Sequence, residues 1–236
     1  MTYRLPFFYL ILLILLSSCE TLKQSSKYQF IDGFYKTKLD GGVRTIYVLA
    51  GSDTIKAYRK SDLGTGKIDS TKAILIGFPS KKPDKFSNLS FNSKTFDVDV
   101  LTVLFKYRPP VKDFPPQFNT TFNGAAYFGY RTDVYKLSYK ETPMHIFNRR
   151  IIHYGYSIGL FSGLGTARID EYVTNNALSI QYDGLVNLSG IALILAVDKL
   201  TAGLTFGEDR LLDKNHSVWV NNAKPWIGLS IGLNIN

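Results

Sequence analysis

The chain carries a single cysteine, Cys19, which excludes a disulfide framework and a metal cluster built on cysteines. Its three histidines, His145, His153 and His216, share no metal-ligand spacing with one another or with Cys19, so no metal or other cofactor is expected. The unbroken apolar run Phe7–Leu16 falls short of the roughly 20 residues that a membrane-spanning helix needs. Gly64-Thr65-Gly66-Lys67 looks like part of a phosphate loop, but Ser61 stands where that loop needs glycine and Ile68 where it needs serine or threonine. The formal net charge is +9, yet the lysines are scattered and form no basic stripe or reader motif, so nucleic acid is not an expected partner. Beyond the first residues, no stretch shows helical periodicity.

What the sequence does have is alternation. From His153 to Thr166 the even positions Tyr154, Tyr156, Ile158, Leu160 and Leu164 are bulky, while Gly155, Ser157, Gly159, Gly163 and Gly165 at odd positions are small. A period of two places successive side chains on opposite faces of a strand. A face of glycines weakens an ordinary strand and suits a crowded interior or a close backbone approach. The same pattern recurs through 125–139, 178–183, 191–198, 200–207 and 227–235, and begins at Phe96, with Pro109-Pro110 and Pro115-Pro116 breaking the pattern between the first two strands. This predicts an all-β chain whose residues 96–236 form an antiparallel β-barrel of about eight strands. Residues 28–79 read as a small β meander, with a strand over Ala73–Phe78 and turns at Asp40-Gly41-Gly42 and Gly51-Ser52-Asp53.

The small faces contain almost no lysine or glutamate, which a water-exposed face normally uses. The bulky face is therefore expected to meet lipid and the small face to line a narrow lumen. In that arrangement Arg131, Asp133, His153, Gln181 and Asp183 form a polar cluster inside the lumen. Tyr154, Tyr156, Trp219 and Trp226 are expected at the membrane interfaces.

The N-terminus indicates where such a barrel resides. Arg4 precedes Phe7–Leu16, which has the length of a signal-peptide core, and Leu16-Ser17-Ser18-Cys19 follows directly. This resembles the lipobox of bacterial lipoproteins, which implies removal of residues 1–18, lipidation of Cys19 and a tether over 19–27. Glu20 follows the cysteine where the sorting pattern for inner-membrane retention has aspartate, which leaves the outer membrane open as the expected location. The body, over about 96–236, resembles small outer-membrane β-barrel proteins of Bacteroidota, with membrane lipids and an unidentified protein or ligand as partners and a structural or binding role. Two alternatives stand beside this reading. One is a soluble, lipid-anchored β domain that binds a ligand or partner. The other is a barrel-type acyl hydrolase in which His153 and Asp183 act on lipid with a serine from a neighbouring strand, since Ser157 lies ~13 Å from His153 along its own.

Overall fold

The alternating segment forms the longest strand, β8 (Phe147–Ile169), which extends beyond the expected span at both ends. In the computed structural model, residues 29–39, 41–51, 54–60, 68–76, 89–111, 114–145, 147–198 and 200–234 are described. Cys19, the signal segment 1–18, the tether 19–27 and the Gly64–Lys67 turn lie outside the described residues. On one side β8 pairs with β7 (Asn123–Glu141), in unbroken register from Glu141↔Phe147 to Asn123↔Gly165. On the other it pairs with β9 (Tyr182–Val197), from Tyr154↔Val197 to Ile169↔Tyr182.

β5 (Leu89–Arg108), β10 (Leu200–Leu211) and β11 (Pro225–Asn234) complete the ring. β11 returns to β5, from Ile227↔Tyr107 to Asn234↔Asp99, so β5, β7, β8, β9, β10 and β11 close on one another in an antiparallel ring of six. The expected count of about eight is corrected to six. Residues 178–181 are not a strand. A 3-10 turn at Tyr172–Thr174 occupies the connection, and β9 runs unbroken from Tyr182 to Val197. Two short predicted strands are therefore one.

Closure carries a stagger. Following the register from Thr95 through Arg131, Ser157, Ile194, Gly203 and Ser230 leads back to β5 at Val103. The path gains eight residues along β5. At ~3.3 Å per residue that offset nearly equals six strand spacings of ~4.8 Å, which tilts the strands by about 45°. A register shift between Leu229 and Ser230, where Leu104 and Phe105 both face outward, adds local twist at the seam.

The bulky faces are outside. One register row around the ring reads Phe128, Leu160, Ile191, Phe206, Ile227 and Tyr107, all exposed, with Leu160 at 65%. The glycine face is enclosed, and the curvature depends on it. A Cβ on Gly159 would lie 2.2 Å from the Phe128 carbonyl oxygen, and one on Gly163 2.1 Å from that of Gly124.

The N-terminal strands β1 (Gly33–Leu39), β2 (Gly42–Ala50), β3 (Ile55–Lys60) and β4 (Ile68–Ile76) form an antiparallel meander. β4 begins earlier than the expected Ala73–Phe78 strand. The meander joins the ring through β1, where Lys36 stands opposite Asn92 of β5, and all these strands share one sheet. β5 thus serves two neighbours on one edge, β1 near its start and β11 near its end. The short β6 (Gln117–Asn119) pairs with the last residues of β5. Tyr35, Ile46, Val48 and Ile55 of the meander bury themselves against Phe91, Tyr135 and Leu137 of the long strands, an apolar core set above the ring. Alternation drives this packing too, because burying each such side chain contributes roughly 1.5–3 kcal/mol.

Candidate functional site

The interior of the ring is filled by layers, and two of them are ionic. In the first, parity turns Lys106 and Arg108 of β5 inward while Phe105 and Tyr107 face out. They meet Asp209 of β10. Lys106 Nζ donates to both carboxylate oxygens at 2.9 and 2.8 Å and to Asn123 Oδ1 at 2.7 Å. Arg108 Nη2 also donates to Asp209 Oδ2, and Trp226 Nε1 donates to Asp209 Oδ1 at 2.9 Å. Aromatic rings cover both cations: Lys106 Nζ lies 4.7 Å from the Trp226 ring and the Arg108 guanidinium 5.3 Å from that of Trp219. Lys106, Arg108 and Asp209 are all buried, and a single carboxylate is shared between two cations.

The second layer contains three of the five residues expected in the lumen. Arg131 Nε donates to Asp133 Oδ1 at 2.8 Å, and His153 Nε2 lies 2.6 Å from the same oxygen. The Tyr135 ring stacks on His153 with centroids 4.7 Å apart. Gly155 gives the guanidinium its space, since a Cβ there would lie 2.4 Å from Arg131 Nη2. Asp97 and Asp99 of β5 are buried in the ring as well.

Gln181 and Asp183 do not join this cluster. In β9 the even residues Gly184, Val186 and Leu188 point inward, which sends Asp183 outward with Leu185. Gln181 lies before the strand and accepts a hydrogen bond from Arg168 Nη2 at 2.8 Å on the surface. Trp219 and Trp226, expected at the membrane interfaces, are buried inside instead, where they cover the Arg108 and Lys106 cations.

An apolar layer separates the two ionic ones. Leu101, Tyr127, Phe161, Leu188, Ile194 and Trp226 belong to it, and the Tyr127 hydroxyl meets Ser157 Oγ at 2.7 Å. Beyond the Lys106–Asp209 layer, Ile169, Val186, Leu211 and Trp219 close the end with Val173 and Leu178 of the β8–β9 connection.

His153, Ser157 and Asp183 are not brought together. Gly155-Tyr156-Ser157-Ile158-Gly159 matches the Gly-x-Ser-x-Gly pattern, but it runs through the middle of β8. A nucleophile elbow requires a sharp strand-to-helix turn. Ser157 is engaged by Tyr127, His153 by Asp133, and Asp183 lies outside the ring.

Three recesses adjoin these layers. One of about 730 Å³ lies beside His153, walled by Phe30, Tyr135, Ile151, Asp198 and Leu200. One of about 540 Å³ indents the outer wall where Ser189, Gly190 and Gly207 leave space between Ile191, Phe206 and Ile227. One of about 500 Å³ lies at the far end, between residues 117–121, the 170–173 turn and Trp219 with Asn221. Lys106, Arg108 and Asp209 escaped the sequence reading, and Trp226 was expected at a membrane interface. The only local signal was the alternation of Lys106 and Arg108 with Phe105 and Tyr107.

Comparison with protein-family models, with curated proteins and with solved structures found no match.

Proposed function

We propose that the chain is an exported lipoprotein, anchored through Cys19, whose ring of six strands is an antiparallel β-barrel seated in the outer membrane with a structural or binding role. The observation that carries this reading is the outward apolar girdle. On β8 it runs from Tyr154 to Leu164, ten residues on; at ~3.3 Å each and a ~45° tilt this spans ~23 Å, close to the ~25 Å apolar band of membrane barrels. Exposed charges lie just beyond it: Lys136 and Arg150 at one end, Arg168 and Arg210 at the other. Monomeric soluble proteins rarely expose contiguous apolar surface beyond a few hundred Å², so a soluble anchored domain would need a partner around its whole circumference.

The connections fit an orientation. The short turns between β7 and β8 and between β9 and β10 lie at the same end as the meander and residue 29. The long connections 109–122, 170–181 and 212–224 lie at the other end. Membrane barrels place short turns in the periplasm and long loops outside, which puts the meander beside the leaflet that holds the anchor.

Single cysteines in a Cys19→Ala background, refolded into lipid vesicles, test the reading. Cysteines at 160 and 229 are expected to react with a bilayer-confined probe and to resist water-soluble maleimide. Cysteines at 192 and 230, on the enclosed face, are expected to react with neither. Ready maleimide labelling at 160 and 229 would overturn the proposal in favour of the soluble domain.

A further inference from the structure

The recess at the long-loop end has a feature that protein packing alone does not account for. Trp219 lines it and is only 4% exposed, yet its indole Nε1 has no hydrogen-bond partner among the described residues. Beneath that ring lies Arg108, 2% exposed, whose Nη1 also has none. Leaving a buried donor unmet is costly, and native proteins seldom do it. Both groups can only donate, so what they lack is an acceptor.

Charge narrows the class. Lys106 and Arg108 share the single carboxylate of Asp209, so one buried cation is uncompensated within this layer. The other acids nearby are committed elsewhere. Asp170 accepts from the Val173 amide and faces Arg168, Asp213 accepts from the Tyr182 hydroxyl and the Asn215 amide, and Glu208 pairs with Arg210 on the outer wall. An anionic acceptor would meet the open donors and balance the cation of this layer together.

The mouth of the recess describes the rest of the ligand. Gln117, Asn119 and Asn221 supply amides; Asn221 Nδ2 donates to Gln117 Oε1 at 2.9 Å, and each of that pair keeps a further donor and acceptor site of the kind that vicinal hydroxyls need. Tyr172 and Phe118 line the opening with rings 55% and 66% exposed, flat apolar faces on which a sugar ring can lie.

We propose that this recess binds an acidic oligosaccharide, with the uronate carboxylate accepting from the Trp219 indole, the Arg108 cation lying behind that ring, and the pyranose rings against Tyr172 and Phe118. The inference specifies the ligand for the binding role proposed above. It does not depend on how the girdle is solvated, so the cysteine labelling and the experiment below can fail separately.

Calorimetry on the purified full-length protein in detergent, titrated with trimers of galacturonate, glucuronate and mannuronate and with neutral galactotriose, tests it. At least one uronate trimer is expected to bind ten-fold or more tightly than galactotriose and to weaken as salt is raised. Trp219→Phe keeps the ring and removes the N–H, and Tyr172→Ala removes an exposed platform. Each is expected to weaken binding ten-fold or more while the protein still migrates as a folded species on unheated gels. The proposal is overturned if no uronate trimer binds, if galactotriose binds equally well, or if both folded variants retain wild-type affinity.

Discussion

Lys106 and Asp209 meet inside the ring with Nζ 2.8 Å from Oδ2, although 103 residues separate them in sequence. Removing the carboxylate leaves Lys106 and Arg108 as buried cations without a counter-charge and deprives the Trp226 indole of its acceptor. Breaking a buried pair from one side costs about 3–5 kcal/mol, whereas replacing both partners by apolar groups is often neutral. Asp209→Leu is expected to lower the free energy of unfolding in urea by that amount, and Asp209→Leu with Lys106→Met to recover part of it. An Asp209→Leu protein as stable as wild type would show that the layer contributes nothing.

The girdle gives a substitution test that separates lipid from water. Leu160 and Leu229 both face outward. In a bilayer, arginine at mid-girdle costs roughly 2–4 kcal/mol, whereas on a water-exposed surface it changes stability by about 0.5 kcal/mol or less. Leu160→Arg and Leu229→Arg are expected to reduce the fraction assembled in vesicles several-fold, with Arg168→Gln, beyond the girdle, close to neutral. Undiminished assembly of both arginine variants counts against a membrane-seated ring.

The enclosed glycines differ sharply among themselves. At Gly159 and Gly163 a methyl group would run into backbone oxygen, which cannot move aside, but at Gly232 the nearest atom is Leu101 Cδ2 at 3.5 Å, an ordinary contact. Gly159→Ala and Gly163→Ala are expected to destabilise by on the order of 1–3 kcal/mol, and Gly232→Ala by a few tenths at most. Equal unfolding midpoints for the three variants would contradict the close approach of β7 and β8.

Cys19→Ala is expected to abolish incorporation of labelled palmitate and to release the protein from its membrane attachment or misdirect it. The motivation is Leu16-Ser17-Ser18-Cys19 placed directly after a ten-residue apolar run. Several acyl chains on one residue anchor firmly, since each buried methylene contributes ~0.8 kcal/mol. Equal palmitate labelling of the alanine variant removes the anchor from the proposal.

Alkali provides a further handle on the meander. Burial pushes the Tyr35 hydroxyl up to about 12, and the hydroxyl donates a 2.8 Å hydrogen bond to the Ile31 carbonyl. A phenol whose folded pKa exceeds its unfolded value contributes fully below pH ~10, and that contribution is lost as pH climbs towards 12. Two units amount to on the order of 3 kcal/mol. The urea midpoint is expected to fall between pH 9.5 and 11.5, and less steeply in Tyr35→Phe. Identical slopes for the two proteins would show that Tyr35 ionises without strain.

The sides of the strands were legible because alternation carries them directly. Glycine and serine opposite leucine and isoleucine along β8 identify the enclosed face without any knowledge of partners. Asp183 was misplaced because 178–183 read as a strand of its own. In the continuous β9, Asp183 is in phase with Ile191 and Leu193, which face outward, so strand length decided its side. Lys106, Arg108 and Asp209 were not legible at all. Their meeting depends on the stagger with which β5, β11 and β10 pair, and no local pattern encodes that offset. Arg131 and Asp133, two residues apart on one strand, needed only parity.

β5 shares one edge between β1 and β11, and this sets an order of events in time. Its N-terminal partner is made before it, but Lys106 and Tyr107 must wait for Gly228 and Ile227, in the last strand of the ring to be made. Pairings between such distant segments form slowly, because loop-closure entropy is spent before any contact offsets it. Until then the first strand of the ring presents open hydrogen-bonding groups beside a wall of leucine and phenylalanine, the kind of surface on which chains aggregate. On the export proposed above, a chain in this half-made condition calls for a holding chaperone from its first ring strand to its last.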